Sequence, residues 1–311
     1  MTKPVPAYRD RDAVYRADTC TPLVAAARDG AVRFRAFARG HYPGDRLPAA
    51  MLPGLKSAGY WDAAGPQQWG LDWHRNEGIE ITFLETGAHP FAVDGRDWPL
   101  EAGDLTITRP WQEHRVGAPH IGAGRLHWFI LDVGIHRPDQ PWRWPAWIVL
   151  SARDLAELTD MLRHNEQPVW PAGPALRHGF TGLSLALDQA TPADAQSRLT
   201  VHLNEILLAL LEMLRTRSIP LNPHLASTRR NVALFLDEFA RDTDAHTEAW
   251  TVEALAAECG LGVTAFTRHC KEIANLTPIE YLNRLRLDRA QELLQNRSEE
   301  RRVGKECRSR W

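Results

Sequence analysis

Between Val263 and Ala274 the sequence reads "VTAFTRHCKEIA", and two chemistries alternate in it at helical spacing. Phe266, Cys270 and Ile273 recur at intervals of four and three, so a helix gathers them on one face. Thr264, Thr267, Arg268 and Lys271 form the other stripe. Hydroxyls, a guanidinium and an ammonium are groups that bond base edges and phosphates in a major groove. A solvated helix face satisfies the same pattern. Charge does not separate the two readings, because residues 227–296 hold eight basic and eleven acidic side chains and form no basic domain. Locally, "RLRLDR" places Arg284, Arg286 and Arg289 in the segment that follows.

The elements that must position this stripe are helical. "TVEALAAEC" precedes a glycine turn and supplies Leu255 and Ala256 as packing partners, which makes helix, turn, helix. "RRNVALFLDEFARD" comes before it, and "TPIEYLNRLRLDRAQELLQ" after it, the latter opened by Thr277 as N-cap and Pro278 at the first helical position. Residues 228–296 are thus one helical unit, preceded by a linker, "SIPLNPHLAS", over 218–227. Residues 151–217 are also helical in pattern. There Leu199, Leu203, Ile206, Leu207, Leu210, Leu211 and Leu214 make a stripe that reads as core or as a dimer seam. From about residue 31 to residue 150 the pattern is β: "VRFRAFARG", "IEITFLETG", "PFAVDG", "DLTIT" and "GRLHWFILDVG" are short apolar or alternating runs between Gly, Pro and Asp. Several such strands predict a barrel or sandwich within residues 1–150.

At 311 residues the chain has room for two domains with separate cores. Its 44% hydrophobic and 24% charged residues are those of an ordinary soluble protein, and the first residues lack the apolar run of a signal peptide. No stretch approaches the roughly 20 apolar residues of a membrane helix. The four cysteines form no CxxC pair, which argues against a disulfide framework or structural zinc and predicts a cytoplasmic setting. Residues 297–311, "RSEERRVGKECRSRW", change character, with six basic and three acidic residues and no apolar period. They read as the translation of a sequencing adapter beginning AGATCGGAAGAGC, hence as foreign to the native chain. Without them Lys+Arg falls from 37 to 31 and Asp+Glu from 39 to 36, and the net charge moves from −2 to −5.

The 45-residue run Trp250–Leu294 resembles the first helix-turn-helix of the AraC family of bacterial transcription regulators. "LAAECGL", Arg268 and Lys271 in "FTRHCKE", and above all "TPIEYLNRLRLDRAQELL" carry the resemblance. It implies that Thr264, Thr267 and Arg268 read bases and that Lys271 contacts the DNA backbone. It also implies a second helix-turn-helix beyond the long helix, where the foreign-looking tail begins instead. Cys270 stands where the family usually has Phe, which predicts looser packing.

"WHRNEGIEITFLETG" and "GDLTITRPWQEHRVG" resemble the two cupin motifs. In metal-binding cupins these motifs supply three histidines and a glutamate. Here His74, Glu80 (with Gly87 seven residues on) and His114 (after Gly103) stand at such places, and Asn76 replaces the remaining histidine. If residues 74–80 stay extended, 74, 76 and 80 share parity and point to one side. Asn is a poor zinc ligand, so no metal or other cofactor is expected and the effector is expected to be organic, possessing sugar-like polarity. Trp128, His127, Arg109 and Trp111 add aromatic faces and donors for it. The expectation is an α+β multidomain chain with a cupin-like barrel, a helical linker or dimerisation segment and a truncated all-α helix-turn-helix unit. Its effector site is His74, Glu80, Arg109, His114 and Trp128, and its partners are DNA, a small effector and a second copy of itself. The rival reading is a metal-dependent cupin enzyme, a dioxygenase or isomerase, using His74, Glu80 and His114.

Overall fold

The computed structural model describes the backbone of residues 7–10, 13–16, 20–135, 137–217, 219 and 221–308, and the side chains of 20–135, 137–217, 219 and 221–295. The chain divides into two compact units, one holding residues 14–226 and the other residues from 227 onward.

The strands run β1 Ala7–Asp10, β2 Ala13–Arg16, β3 Arg33–Ala38, β4 Asp45–Arg46, β5 Leu55–Ala63, β6 Leu71–His74 and β7 Ile79–His89. They continue with β8 Phe91–Val93, β9 Arg96–Asp97, β10 Leu100–Glu101, β11 Asp104–Thr108, β12 His114–Val116, β13 Gly124–Leu131 and β14 Val169–Pro171. In the first unit the helices are α1 Thr21–Arg28, α2 Ala152–His164, α3 Pro174–Gln189 and α4 Gln196–Arg215. Beside the β1–β2 hairpin there are two sheets: an eight-stranded one ordered β14-β11-β7-β13-β5-β3-β4, with β10 against β7, and a four-stranded one ordered β6-β12-β8-β9. They form the cupin-like barrel.

Alternation along the central strands of the larger sheet decides where the two cores lie. Leu126, Trp128 and Ile130 of β13 pack with Phe91, Val93 and Val116 of the smaller sheet, inside the barrel. Phe129 and Leu131, with Ile79, Ile81 and Phe83 of β7, face the other way and join Phe180, Leu207 and Leu211 in a second core under α2–α4. Both faces of β13 are therefore covered, which is why its sequence is nearly continuously apolar. Residues 151–217 accordingly belong to the same compact unit as the barrel, and β14 within them adds an edge to the large sheet through β11. The leucine stripe of α4 is buried inside one chain: Leu199, Leu203, Ile206, Leu207, Leu210, Leu211 and Leu214 are each at most 1% exposed. Its burial needs no dimer.

The second unit contains α5 Thr228–Arg241, α6 Val252–Glu258, α7 Val263–Ala274 and α8 Pro278–Arg308. Thr251 caps α6 by accepting from the Ala254 N–H, and Gly260 takes the left-handed φ of +66° that turns the chain toward α7. Thr277 and Glu280 form a reciprocal capping box at α8: the Glu280 carboxylate accepts the Thr277 N–H at 2.8 Å and the Thr277 hydroxyl accepts the Glu280 N–H at 3.4 Å. Phe235, Phe239, Leu255, Phe266, Cys270 and Leu282 make its core. The sequence pattern ends α8 near residue 295, whereas the helix continues to Arg308. Glu, Arg and Lys, which fill the extension, are good helix formers and carry the backbone on without an apolar face. Among the described residues no helix is long and apolar enough to cross a membrane.

Candidate functional site

His74, Glu80 and His114 meet inside the barrel, one donor atom of each lying within 4.8 Å of the others. They do not meet by parity on one strand. His74 ends β6 in the small sheet and Glu80 lies on β7 in the large one, with residues 75–78 crossing between them. The crossing is tight at Gly78, where a Cβ would stand 2.5 Å from the Leu131 carbonyl oxygen. His114 on β12 pairs directly with His74 in the ladder, and their rings are 4.3 Å apart. Asn76 sits on the crossing segment, buried, its backbone carbonyl accepting the Trp111 N–H at 2.8 Å.

Hydrogen bonds fix the orientation of these groups. His74 Nδ1 is 2.6 Å from the Asp72 carbonyl and His114 Nδ1 is 2.9 Å from the Gln112 carbonyl. A carbonyl only accepts, so each Nδ1 carries a proton; His74 Nε2 then presents a lone pair in the neutral ring, whereas His114 Nε2 faces the Glu80 carboxylate across a shared proton. His114 Nε2 lies 2.8 Å from Glu80 Oε2. The Asn76 amide NH2 donates to Glu80 Oε2 at 2.8 Å and stands 3.5 Å from His114 Nε2, while its Oδ1 accepts from the Tyr42 hydroxyl at 3.2 Å. Burial, and after it the nearby Glu77 carboxylate, push the Tyr42 hydroxyl well above its usual range, so it remains protonated.

A cavity of about 40 Å³ opens beside this cluster, room for roughly three waters. Its walls are apolar and aromatic, with Trp61, Trp128, Leu71, Val116 and Ile130, and its polar lining includes His74, Asn76, Glu80 and Tyr42. Trp128 is aimed by a bond from its indole N–H to the Ser57 hydroxyl at 3.0 Å, and it fits because residue 59 is glycine: a Cβ there would approach the indole to 2.7 Å. Cys20 and Leu23, at the start of α1, also line the cavity. The sequence pattern did not single them out, since one short helix ahead of β3 carries no motif.

The other expected effector residues lie elsewhere. Arg109 bonds the Asn165 carbonyl and sits 3.7 Å from Asp94. Trp111 is buried at φ +62°, its indole N–H donating to the Ile135 carbonyl at 3.1 Å. His127 points to the helical side of the sheet, against Phe83 and Phe180 and 2.8 Å from Glu85; burial lowers its pKa, partly offset by that carboxylate. None of the three lines the cavity.

Two imidazole nitrogens with preset tautomers and one carboxylate fit a divalent cation. Donors about 2.1 Å from one ion stand roughly 3.0–3.4 Å apart, so the three groups, within 4.8 Å of one another, would close slightly around it. A cation held by His74, Glu80 and His114 would supply a Lewis-acidic point for an oxygen of a bound molecule.

On α7 the two stripes separate as their spacing requires. Phe266 and Cys270 are buried, and Thr264, Arg268 and Lys271 are exposed with Thr267 half-buried beside them. Burial raises the Cys270 thiol to about 11. His269, which the stripe reading left unassigned, is buried between Thr228 (3.3 Å) and Glu272 (3.0 Å). Glu272 also lies 3.8 Å from Arg268 and 3.9 Å from Arg229. The carboxylate is held below its usual range, chiefly by the His269 bond.

A family description, "Cupin domain", matches residues 64–131, the segment holding His74, Glu80 and His114. No match was found among curated proteins. Among solved structures, the AraC-like transcriptional activator CuxR is 13% identical over 92% of this chain and 95% of its own, with a TM-score of 0.36. An apo form of ToxT from Vibrio cholerae is 8% identical over 75% of this chain and 98% of its own, with a TM-score of 0.29. A cupin superfamily protein from Desulfitobacterium hafniense is 13% identical over 27% of this chain and 72% of its own, with a TM-score of 0.23. The chain has a cupin-like N-terminal domain, with the family match at residues 64–131, and a helical C-terminal unit.

Proposed function

We propose that this protein is a cytoplasmic, homodimeric transcription regulator of the AraC type, in which a small effector bound in the barrel changes DNA recognition by the C-terminal unit. The observation that carries the reading is the α6–turn–α7 arrangement, with Phe266 and Cys270 in the core and Thr264, Arg268 and Lys271 exposed on the opposite stripe. Thr264, Thr267 and Arg268 read bases and Lys271 contacts a phosphate. Selection from a random duplex pool tests the reading, followed by anisotropy titration on the selected site. Arg268→Ala relaxes preference at one or two base pairs, at about 1–3 kcal/mol. Failure of the protein to enrich any sequence sinks it.

The effector site is His74, Glu80 and Trp128 lining the cavity, with His114 outside the lining and bonded to Glu80. A small polar molecule that quenches Trp fluorescence in the wild type and not in Trp128→Phe locates it there. A metal-dependent dioxygenase or isomerase using His74, Glu80 and His114 is the rival outcome of the test: turnover by metal-loaded protein, abolished in His114→Ala, would install it instead.

A further inference from the structure

Helices α3 and α4 approach closely where α3 has two glycines. A Cβ at Gly179 would stand 2.6 Å from Ile206 Cγ1, and one at Gly182 would collide with the imidazole of His202. Glycine is a poor residue for a helix interior, and here it makes the space in which that ring lies against the α3 backbone. His202 and Glu205, three residues apart on α4, share a face. His202 Nδ1 stands 3.3 Å from Glu205 Oε2, and from α3 His178 Nε2 stands 3.8 Å from the other carboxylate oxygen, Oε1. The His202 side chain is mostly covered, Glu205 partly so, and His178 is exposed. Two imidazoles and a carboxylate from two helices thus stand together on the surface of the first unit. None of them lines the barrel cavity.

We infer that His178, His202 and Glu205 form a surface site for zinc that bridges α3 and α4. Two imidazole nitrogens and one carboxylate are a zinc donor set that leaves the fourth tetrahedral position to water. Donors about 2.1 Å from one ion in that geometry stand roughly 3.4 Å apart, and the His202–Glu205 pair already has that separation. The His178 ring closes on the ion by turning about its own side-chain bonds, which its exposure permits, whereas the His202 ring is fixed by the backbone it lies against. Magnesium and calcium, which take oxygen ligands, do not match the set. The site is independent of the effector and of DNA recognition, since neither the cavity nor the C-terminal unit contributes a donor to it.

The test uses the full chain stripped with chelator and titrated with Zn²⁺ by calorimetry, in a His74→Ala, Glu80→Gln background that leaves one imidazole in the barrel cluster. One Zn²⁺ per chain is expected there, and no binding of Mg²⁺. His178→Asn and Glu205→Gln should each weaken zinc binding by at least about tenfold, since a ligand matters no less than the outer partners whose loss costs about 10- to 100-fold. Gly182→Ala, whose methyl enters the space of the His202 ring, should weaken it too. Because the three donors come together only in the folded unit, zinc should raise the urea midpoint of the background protein and not that of His178→Asn. Near-ultraviolet dichroism checks each fold. If the background does not fold, the same comparison on the otherwise wild-type chain reads as the loss of one zinc equivalent in His178→Asn. Binding unchanged in both His178→Asn and Glu205→Gln would overturn the site. Binding lost in Glu205→Gln but kept in His178→Asn would overturn the bridge, by assigning the metal to α4 alone. Absence of zinc binding to the folded background protein would overturn the inference outright.

Discussion

Glu80 and His114 approach to 2.8 Å from strands of two different sheets, Glu80 from β7 of the eight-stranded sheet and His114 from β12 of the four-stranded one. Closure of the barrel and assembly of the polar floor are therefore one event. His114 is 1% exposed, and its removal leaves a mostly buried carboxylate with the Asn76 amide as its remaining mapped donor. His114→Ala should cost about 3 kcal/mol of stability in urea denaturation. In Glu80→Gln a side-chain N–H can donate to His114 Nε2 while the oxygen accepts from Asn76. That variant should stay within about 1 kcal/mol of the wild type. Equal losses in the two variants would show that the pair contributes through packing and not through its hydrogen bonds.

His89 gives the barrel a defined pH response. It is buried beside Trp61, accepts the Gly122 N–H on Nδ1, and is pushed down to about 4 by desolvation. The unfolded chain takes up the proton near pH 6.5 and the folded one only near 4, so the unfolded state binds more protons in that window and stability falls as pH drops through it. Between pH 7.5 and pH 5 the expected loss from His89 is about 2 kcal/mol. His127, also lowered by burial, adds in the same direction. His89→Asn keeps an acceptor for Gly122 and cannot titrate, so its urea midpoint should change with pH less steeply than that of the wild type. Parallel pH profiles would assign the loss to other groups.

Neighbouring leucines on α4 should behave oppositely. Leu207 is 0% exposed in the core under the sheet, and Leu208 is 43% exposed. Leu207→Ala should cost about 2–5 kcal/mol and Leu208→Ala less than about 0.5. Sedimentation of Leu208→Asp at matched concentrations separates stability from assembly. A folded monomer there, against a wild-type dimer, would place the contact between copies on the exposed side of α4, and an unchanged dimer would place it elsewhere.

Much of the fold is legible because period and punctuation act locally. Five of the strands and the helices α2 and α4 to α8 follow from apolar spacing, caps and turn residues, whereas α3, with glycines at 179 and 182 inside it, was not singled out. Strand β5 escapes that reading because both its faces are covered and "LKSAGYWDA" alternates weakly, and β14 escapes it because three residues carry no period. The site was legible in its residue types. It was not legible in its geometry: parity within one strand was the wrong device for His74 and Glu80, since the chain changes sheets between them. Arg109 and Trp111 lie within the second motif and His127 ten residues beyond it, yet the pleat turns His127 to the far face and local bonds hold the other two outside the cavity. No sequence pattern distinguishes Leu207 as chain core from Leu207 as dimer seam, because burial by either partner selects the same side chain.

The reading stripe of α7 contains its own counterweight. Glu272 stands 3.8 Å from Arg268 and 3.9 Å from Arg229, in pairs exposed enough to be weak, and it adds negative charge beside groups proposed to meet DNA. His269 holds it there through a 3.0 Å bond. Glu272→Gln keeps a side chain that can bond His269 but removes the charge. Both guanidiniums then become available to phosphates, and since each neutralised phosphate steepens the fall of log affinity with log salt by about 0.9, the slope should grow by about 1–2. Affinity for unrelated duplexes should rise, and the ratio of specific to non-specific binding should shrink, because the added contacts carry no sequence information. Anisotropy titrations at three salt concentrations on a selected site and on a scrambled duplex give both quantities. If the slope does not change while specificity falls, Glu272 acts by orienting Arg268 toward a base instead of by restraining it from the backbone.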